Sequence, residues 1–129
     1  MNDHISKSDH DFEVANALST NACYCDWRFV CIFYSVIHRI DAYAHKIGRE
    51  RELEPSSIEE EGKWYYLRKP FVRRYLKEYY GLYDRLYNKS RDCRYNPKYY
   101  KQFAENPLFW TNYFSNLLKD FEKFKAITQ

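Results

Sequence analysis

His38, Arg91, Arg94 and Tyr95 have the residue types and grouping that suit chemistry on a phosphate-containing ligand. A histidine titrates near neutral pH and can exchange protons with a bound molecule. Two arginines beside a tyrosine suit phosphate contact with an aromatic base stacked on the ring. Structural alternatives stay open: His38 could be a hydrogen-bonded core or interface histidine. The arginines could be solvent-facing cations at a helix C-terminus.

Metal-binding and cofactor motifs are weak in this sequence. Cys23 and Cys25 are separated by one residue, unlike the two-residue spacing of common zinc knuckles, and Cys31 follows six positions later. His38 would have to leave its helix face to join them. Gly-rich phosphate loops, HExxH and Ser-centred elbows do not occur. We therefore expect neither metal nor cofactor, and we expect these cysteines and Cys93 to be free thiols in a reducing, cytoplasmic compartment.

Composition favours one helical domain. The 129 residues are 45% apolar and 30% charged, with three Gly and four Pro, which suits long helices better than a turn-rich β-sandwich. The segment from Met1 to Asp11 lacks the apolar core of a signal peptide, and no later stretch has the uncharged length of a membrane span, so we expect no membrane association.

Charge is distributed unevenly along the chain. From Lys63 to Lys101, twelve Lys or Arg residues stand against three acidic residues. A basic segment of this kind could face nucleic acid, an acidic partner protein, or the acidic part of the same fold or its dimer mate.

Apolar periodicity predicts five helices in an all-α, antiparallel bundle. Ser8 is the predicted N-cap of the first helix, which ends near Leu18. Asp26 is the predicted N-cap of the second helix, with Gly48 as its stop. The second helix has the widest apolar face, so we expect it to be the most buried. Asp26 has a functional alternative, in which its carboxylate holds an arginine.

The remaining three helices follow a charged loop. Ser57 fits a capping box that opens the third helix, and Pro70 is expected to end or kink it. An apolar stripe from Val72 to Leu86 predicts the fourth helix. Asn106 followed by Pro107 predicts the start of the last one.

Two blocks of this sequence match a known family pattern in order and approximate separation. The first block consists of Asp26, Trp27, Phe33, Tyr34, His38 and Ala42. The second block consists of Tyr83, Leu86, Tyr87, Ser90, Arg91, Arg94 and Tyr95. Together they resemble a bacterial and archaeal branch of the HEPN superfamily over residues 9–96, with residues 97–129 as a C-terminal helical extension.

The resemblance implies a compact helical bundle that commonly forms homodimers, with RNA as the usual ligand and defence or toxin-type systems as the usual setting. Members that cleave RNA carry an Arg followed four to six residues later by a His, and this branch often has Ser-His-Glu-x-Arg before its third helix. Here Ile58 and Glu61 stand in place of that His and Arg. Arg39 and His45 keep the formal spacing, but a helix would point them apart. The departures favour a protein that has lost its catalytic pair.

Three functional hypotheses are open. The first is an RNA-binding or scaffold protein, a homodimer through the apolar surface of the second and fourth helices. Its candidate RNA contacts are Arg73, Arg74, Arg91 and Arg94. The second is a metal-independent ribonuclease, in which a histidine takes the 2′-hydroxyl proton and a cation stabilises the phosphate. Its candidate catalytic residues are His38, Arg91, Arg94 and Tyr95.

The third hypothesis is a subunit that docks onto another protein. Its contact regions would be the acidic loop 50–61 and the last helix. This hypothesis gains support if Phe109, Trp110 and Phe114 form one exposed patch in the monomer.

Overall fold

The computed structural model describes residues 2–20, 24–54 and 64–129, and within these ranges the chain is helical without a β-strand. The α-helices are α1 (Asn2–Ala17), α2 (Cys25–Lys46), α3 (Trp64–Tyr75), α4 (Tyr80–Tyr95), α5 (Lys101–Glu105) and α6 (Pro107–Ile127). Short 3-10 turns at Leu18–Thr20, Glu50–Leu53 and Lys77–Tyr79 join some of them. The prediction of an all-α helical bundle is confirmed.

Two predicted N-caps are wrong. α1 begins at Asn2, so Ser8 lies in the middle of the helix, where its buried hydroxyl donates to the Ser35 carbonyl at 2.8 Å. α2 begins at Cys25 with Tyr24 at the N-cap position and no side-chain capping bond, so Asp26 lies in the first helical turn. Ser8 was misassigned because a serine that serves a helix-helix contact has the same local sequence as a capping serine.

The region of the predicted third and fourth helices is divided differently from expectation. Pro70 lies inside α3 and does not end it, and Val72 belongs to α3. The break comes at Leu76, a buried residue with non-helical backbone angles, before the Lys77–Tyr79 turn. The predicted opening of the third helix at Ser57 lies outside the described residues. Gly48 has a positive φ of 71° just after α2, as expected for a helix stop.

α2 is the centre of the bundle, as its wide apolar face predicted. Side chains along its whole length are buried, from Cys25 to Ala44. α1 runs antiparallel to it, with Ala15 near Arg28 and His4 near His38.

α4 and α6 pack against other sides of α2. The ring centroid of Phe33 on α2 lies 6.0 Å from those of Tyr83 and Tyr87 on α4. α6 runs parallel to α2, since Arg28 covers the Phe114 ring near one end and Lys46 bonds the Gln129 carbonyl at the other.

The C-terminal third of the chain belongs to the same core. Phe29 on α2 is fully buried, and its ring contacts four aromatic rings from α5 and α6. These rings are Phe103, Trp110, Tyr113 and Phe114. The apolar face of α2 that was assigned to a dimer interface is therefore already covered within one chain.

Polar groups also hold α1 against α2. Ser35 and Ser8 exchange hydrogen bonds at 2.8 Å. The Arg39 guanidinium, 2% exposed, donates to the Asp9 carboxylate at 2.7 Å and to the Ser8 hydroxyl at 3.2 Å. Buried polar groups that are paired in this way set the register of the two helices, because any slip would leave them unsatisfied.

Candidate functional site

One stripe of α2 stays partly open to solvent between α1 and α4. It consists of Trp27, Cys31, Tyr34 and His38, whose spacings of four, three and four residues place them on one helix face. Trp27 is 55% exposed, and the other three are half-buried. We call these four residues the α2 stripe. Charged side chains approach it at Tyr34 and at His38.

Arg94 lies against the α2 stripe at the end of α4. Its guanidinium donates to the Tyr34 hydroxyl at 3.3 Å and to the Ser90 carbonyl at 3.3 Å. It also lies 5.1 Å from the Tyr95 ring centroid, a cation-π distance, and Tyr95 is 73% exposed. Arg91 is exposed one turn earlier. The predicted phosphate-contacting group is thus accessible on the surface.

Asp26 does not hold an arginine through its buried oxygen. Its Oδ1 atom is buried and accepts no hydrogen bond within the described part of the chain.

His38 lies at the other end of the α2 stripe and faces α1. Its Nδ1 atom is 3.0 Å from Nδ1 of His4, and its Nε2 atom is 4.0 Å from the Asp11 carboxylate. The side chain is 19% exposed, so it is neither sealed in apolar packing nor fully open. Burial lowers the pKa of His38. The Asp11 carboxylate opposes this lowering, whereas the charges of His4, Lys7 and Arg68 add to it.

The structure does not pair His38 with the arginines predicted to share its site. Tyr34, which bonds Arg94, lies one helical turn from His38, about 6 Å along the axis. The basic residues whose charges act on the pKa of His38 are His4, Lys7 and Arg68, not Arg91 or Arg94. The two predicted catalytic elements therefore share one face of α2 but are separated by the Tyr34 side chain.

Arg68 and Asp41 form a buried ion pair next to His38. They are 3% and 8% exposed, and the guanidinium approaches Asp41 Oδ1 at 2.9 Å and 3.1 Å. Arg68 also donates to the Leu53 carbonyl at 3.4 Å, which ties α3 to the turn after α2. Burial raises the pKa of Asp41, and the Arg68 guanidinium opposes that rise.

Sequence reasoning missed His4, Asp41 and Arg68. Only the His38 to Asp41 spacing of three residues on one helix was available as a local signal. His4 is 34 residues from His38, and Arg68 is 27 residues from Asp41, so both contacts arise from the tertiary fold.

The Arg39 and His45 pair is separated, as helix geometry predicted. Arg39 is buried against α1, whereas His45 is exposed at the end of α2. Arg39 and His45 therefore keep the spacing of the family motif but do not form one site.

Arg73 and Arg74 form a separate cluster at the opposite end of α4. Arg73 donates to the Tyr80 hydroxyl at 2.8 Å, and Arg74 to the Glu52 carboxylate at 3.3 Å. Tyr80 and Arg94 are fourteen residues apart on α4, which is about 21 Å of helix. The four predicted RNA-contacting arginines are therefore divided between two places.

Part of the surface predicted for protein docking is used within the chain. Trp110 and Phe114 are 6% and 2% exposed, and of the three aromatic residues named for the patch on α6 only Phe109, at 52%, faces solvent. In the acidic loop, Glu52 accepts hydrogen bonds from Arg74 and Tyr75. Residues 55–61 of that loop lie outside the described residues.

Cys93 is half-buried beside the start of α2, and burial raises the pKa of its thiol to about 12, with the nearby Asp26 carboxylate adding to the rise. We expect iodoacetamide at pH 9 to alkylate Cys93 in the folded chain on the order of 100-fold more slowly than in the urea-unfolded chain, because the thiolate is the nucleophile. Peptide mapping by mass spectrometry gives both rates. Equal rates would show that the thiol is not protected.

The same pKa shift has a defined sign for stability. The folded chain keeps the Cys93 proton where the unfolded chain releases it, so this group's contribution to stability is present below pH 9 and is lost as the pH rises toward 12. Cys93 is therefore unsuited to nucleophilic chemistry at neutral pH, and its thiol is free, as expected.

No family model matches the chain, and comparisons with curated proteins and with solved structures return no significant match. Among the described helices, none is long and apolar enough to cross a lipid bilayer.

Proposed function

We propose that this chain is a HEPN-like, RNA-associated protein of a defence or toxin-type system that binds single-stranded RNA at the C-terminal end of α4. One observation carries the proposal: Tyr95 is 73% exposed and lies in cation-π contact with Arg94, beside exposed Arg91. An exposed ring next to cations is how many proteins hold single strands, because a base stacks on the ring while the cation contacts the phosphate.

The arrangement of α2 and α4 supports the family part of the proposal. The two blocks that resemble the HEPN branch lie on these helices, which pack against each other through Phe33, Tyr83 and Tyr87. Exposed Trp27 lies in the first turn of α2, at the same end of the bundle as Cys93, since the charge of Asp26 acts on that thiol. Trp27 therefore offers a second exposed aromatic ring at this end of the bundle.

We infer that the protein acts by binding and not by cleavage. Ile58 and Glu61 replace the His and Arg of the family branch. His38 contacts His4 on α1, and Tyr34 is the α2 residue that bonds Arg94, so the predicted general base does not adjoin the proposed phosphate contact. The alternative that keeps a ribonuclease uses His38, whose lowered pKa leaves it neutral and able to accept a proton at pH 7.

Tyr95→Ala is expected to weaken binding of a labelled twelve-nucleotide single-stranded RNA by about 5-fold to 150-fold, since stacking contributes about 1–3 kcal/mol per base. Arg91→Gln and Arg94→Gln should each reduce the salt dependence of binding, by about 0.7 in the slope of log K against log salt for a single strand. Fluorescence anisotropy over a salt series measures both effects.

Matched control variants exist on other faces. Phe109→Ala removes a ring that is 52% exposed on α6, and Arg85→Gln removes a cation paired with Asp120. Both should leave RNA affinity unchanged. The proposed site is rejected if Tyr95→Ala and Phe109→Ala change the RNA affinity to the same extent. If the protein cleaves RNA without metal and His38→Ala abolishes that cleavage, the ribonuclease alternative replaces the binding function.

A further inference from the structure

His4, His38 and Asp41 bring together the ligand set of a transition-metal site. One ligand atom from each residue lies within 4.8 Å of the other two. Two imidazole nitrogens and one carboxylate oxygen suit Zn²⁺ and similar divalent ions, whereas Mg²⁺ and Ca²⁺ prefer oxygen ligands alone. Asp41 is buried at 8% exposure, and both histidines are partly exposed, so an ion could enter from solvent.

The spacing of the two imidazoles is close to that of a metal site. Their Nδ1 atoms are 3.0 Å apart. Two nitrogens bound to one tetrahedral Zn²⁺ at about 2.0–2.1 Å lie about 3.3 Å apart, so the rings need to separate by only a few tenths of an ångström. Without metal, one ring must donate an Nδ1 proton to the other. A metal would replace that proton, and the donating ring would carry its proton on Nε2.

We propose that His4, His38 and Asp41 form a binding site for one divalent transition-metal ion of the Zn²⁺ type, with a fourth position open to water. The site ties the first turn of α1 to the C-terminal half of α2. It does not depend on RNA binding, because none of its three ligands belongs to the Arg91, Arg94 and Tyr95 group.

The surroundings contain the supporting contacts that metal ligands usually have. Asp11 Oδ2 is buried, accepts no hydrogen bond within the described ranges, and lies 4.0 Å from His38 Nε2. Metal binding at Nδ1 fixes the His38 proton on Nε2, which faces this carboxylate. Carboxylate, histidine and metal in series is the common arrangement that orients a ligating imidazole. At 4.0 Å the two atoms are not hydrogen-bonded, so Asp11 could accept this proton only if they approached by about 1 Å when the metal binds.

Arg68 orients the third ligand. Its contacts at 2.9 Å and 3.1 Å both end on Oδ1 of Asp41. A carboxylate held through one oxygen can offer the lone pairs of the other oxygen to a metal. The charges of Lys7 and Arg68 balance those of Asp11 and Asp41, so the arriving ion adds the only excess charge to these groups.

Titration of the chelator-treated full chain with ZnCl₂ tests the proposal. Calorimetry should give one ion per chain, and zinc at about 100 times its Kd should raise the Tm by about 10 °C. Co²⁺ in place of Zn²⁺ should give the visible absorption of a four-coordinate site. His4→Ala and His38→Ala should each weaken zinc binding at least about tenfold.

The other two histidines provide matched controls. His10 and His45 are exposed and outside the cluster, so His10→Ala and His45→Ala should bind zinc like the unaltered chain. His4 is in the first turn of α1, and circular dichroism verifies that its variant stays helical even if His38→Ala unfolds. The proposal is overturned if the folded chain binds no zinc, if His4→Ala binds as tightly as the unaltered chain, or if Cys25→Ser abolishes binding.

Discussion

Replacing Arg68 by Met is expected to lower the free energy of unfolding by about 3–5 kcal/mol, because it leaves the Asp41 carboxylate buried without its counter-ion. Arg68 and Asp41 are 3% and 8% exposed, so water cannot readily take the place of the guanidinium. The variant also loses the Arg68 bond to the Leu53 carbonyl. Urea denaturation followed by circular dichroism measures the difference.

Two comparisons show whether the loss of stability arises because the ion pair is buried or would follow from removing any ion pair. Arg85→Met removes a partner of Asp120 in a pair that is 51% and 45% exposed, and we expect a change of about 0–1 kcal/mol. The double change Arg68→Met with Asp41→Leu should recover most of the lost stability, since no unpaired charge remains. A single variant within 1 kcal/mol of the unaltered chain would contradict the buried-pair argument, as would a double variant no more stable than the single one.

Phe29→Ala is the second change with a large expected effect, about 3–5 kcal/mol. Phe29 is 0% exposed, and its ring centroid lies 4.5 Å from that of Phe114 and 5.7 Å from that of Phe103. Truncation leaves a cavity where α2 meets α5 and α6, and rings held by their own neighbours can fill it only in part. The same denaturation experiment applies.

Hydrogen exchange locates the damage. Amides of Lys101–Glu105 and Pro107–Ile127 should lose protection before those of α1, because Phe29 is where these helices meet the hub of the bundle. Phe109→Ala, on an exposed ring of α6, should change stability by about 0.5 kcal/mol or less. If α5 and α6 kept full protection in Phe29→Ala, the C-terminal third would be an independent extension and not part of the core.

Two neighbouring positions on the α2 stripe have different chemical characters. Beside Tyr34, Arg94 and Tyr95 present a cation and an exposed ring to solvent. At His38, the polar groups are directed at one another across the contact between α1 and α2. The first position suits a large ligand that arrives from solution, and the second suits a small ion that fits between two helices.

The fold could be predicted largely from local pattern. Helical periodicity of apolar residues identified α2 as the most buried helix, and the Asn106 and Pro107 pair identified the start of α6. Local pattern failed where one residue has two uses. Ser8 has the local sequence of a helix cap, but its hydroxyl bonds Ser35 on the neighbouring helix. The apolar stripe through Leu76 predicted one continuous helix, whereas the helix is interrupted at Leu76.

The sequence by itself determined the helical class, the central place of α2, and the grouping of Arg91, Arg94 and Tyr95, because each depends on residues within one or two turns of helix. The tertiary structure alone decided that His38 meets His4 and Asp11, that Arg68 neutralises Asp41, and that Arg73 and Arg74 lie far from Arg94. The physical reason is distance along the chain. A contact between residues about thirty positions apart depends on how whole helices pack, so the spacing of neighbouring residues does not predict it.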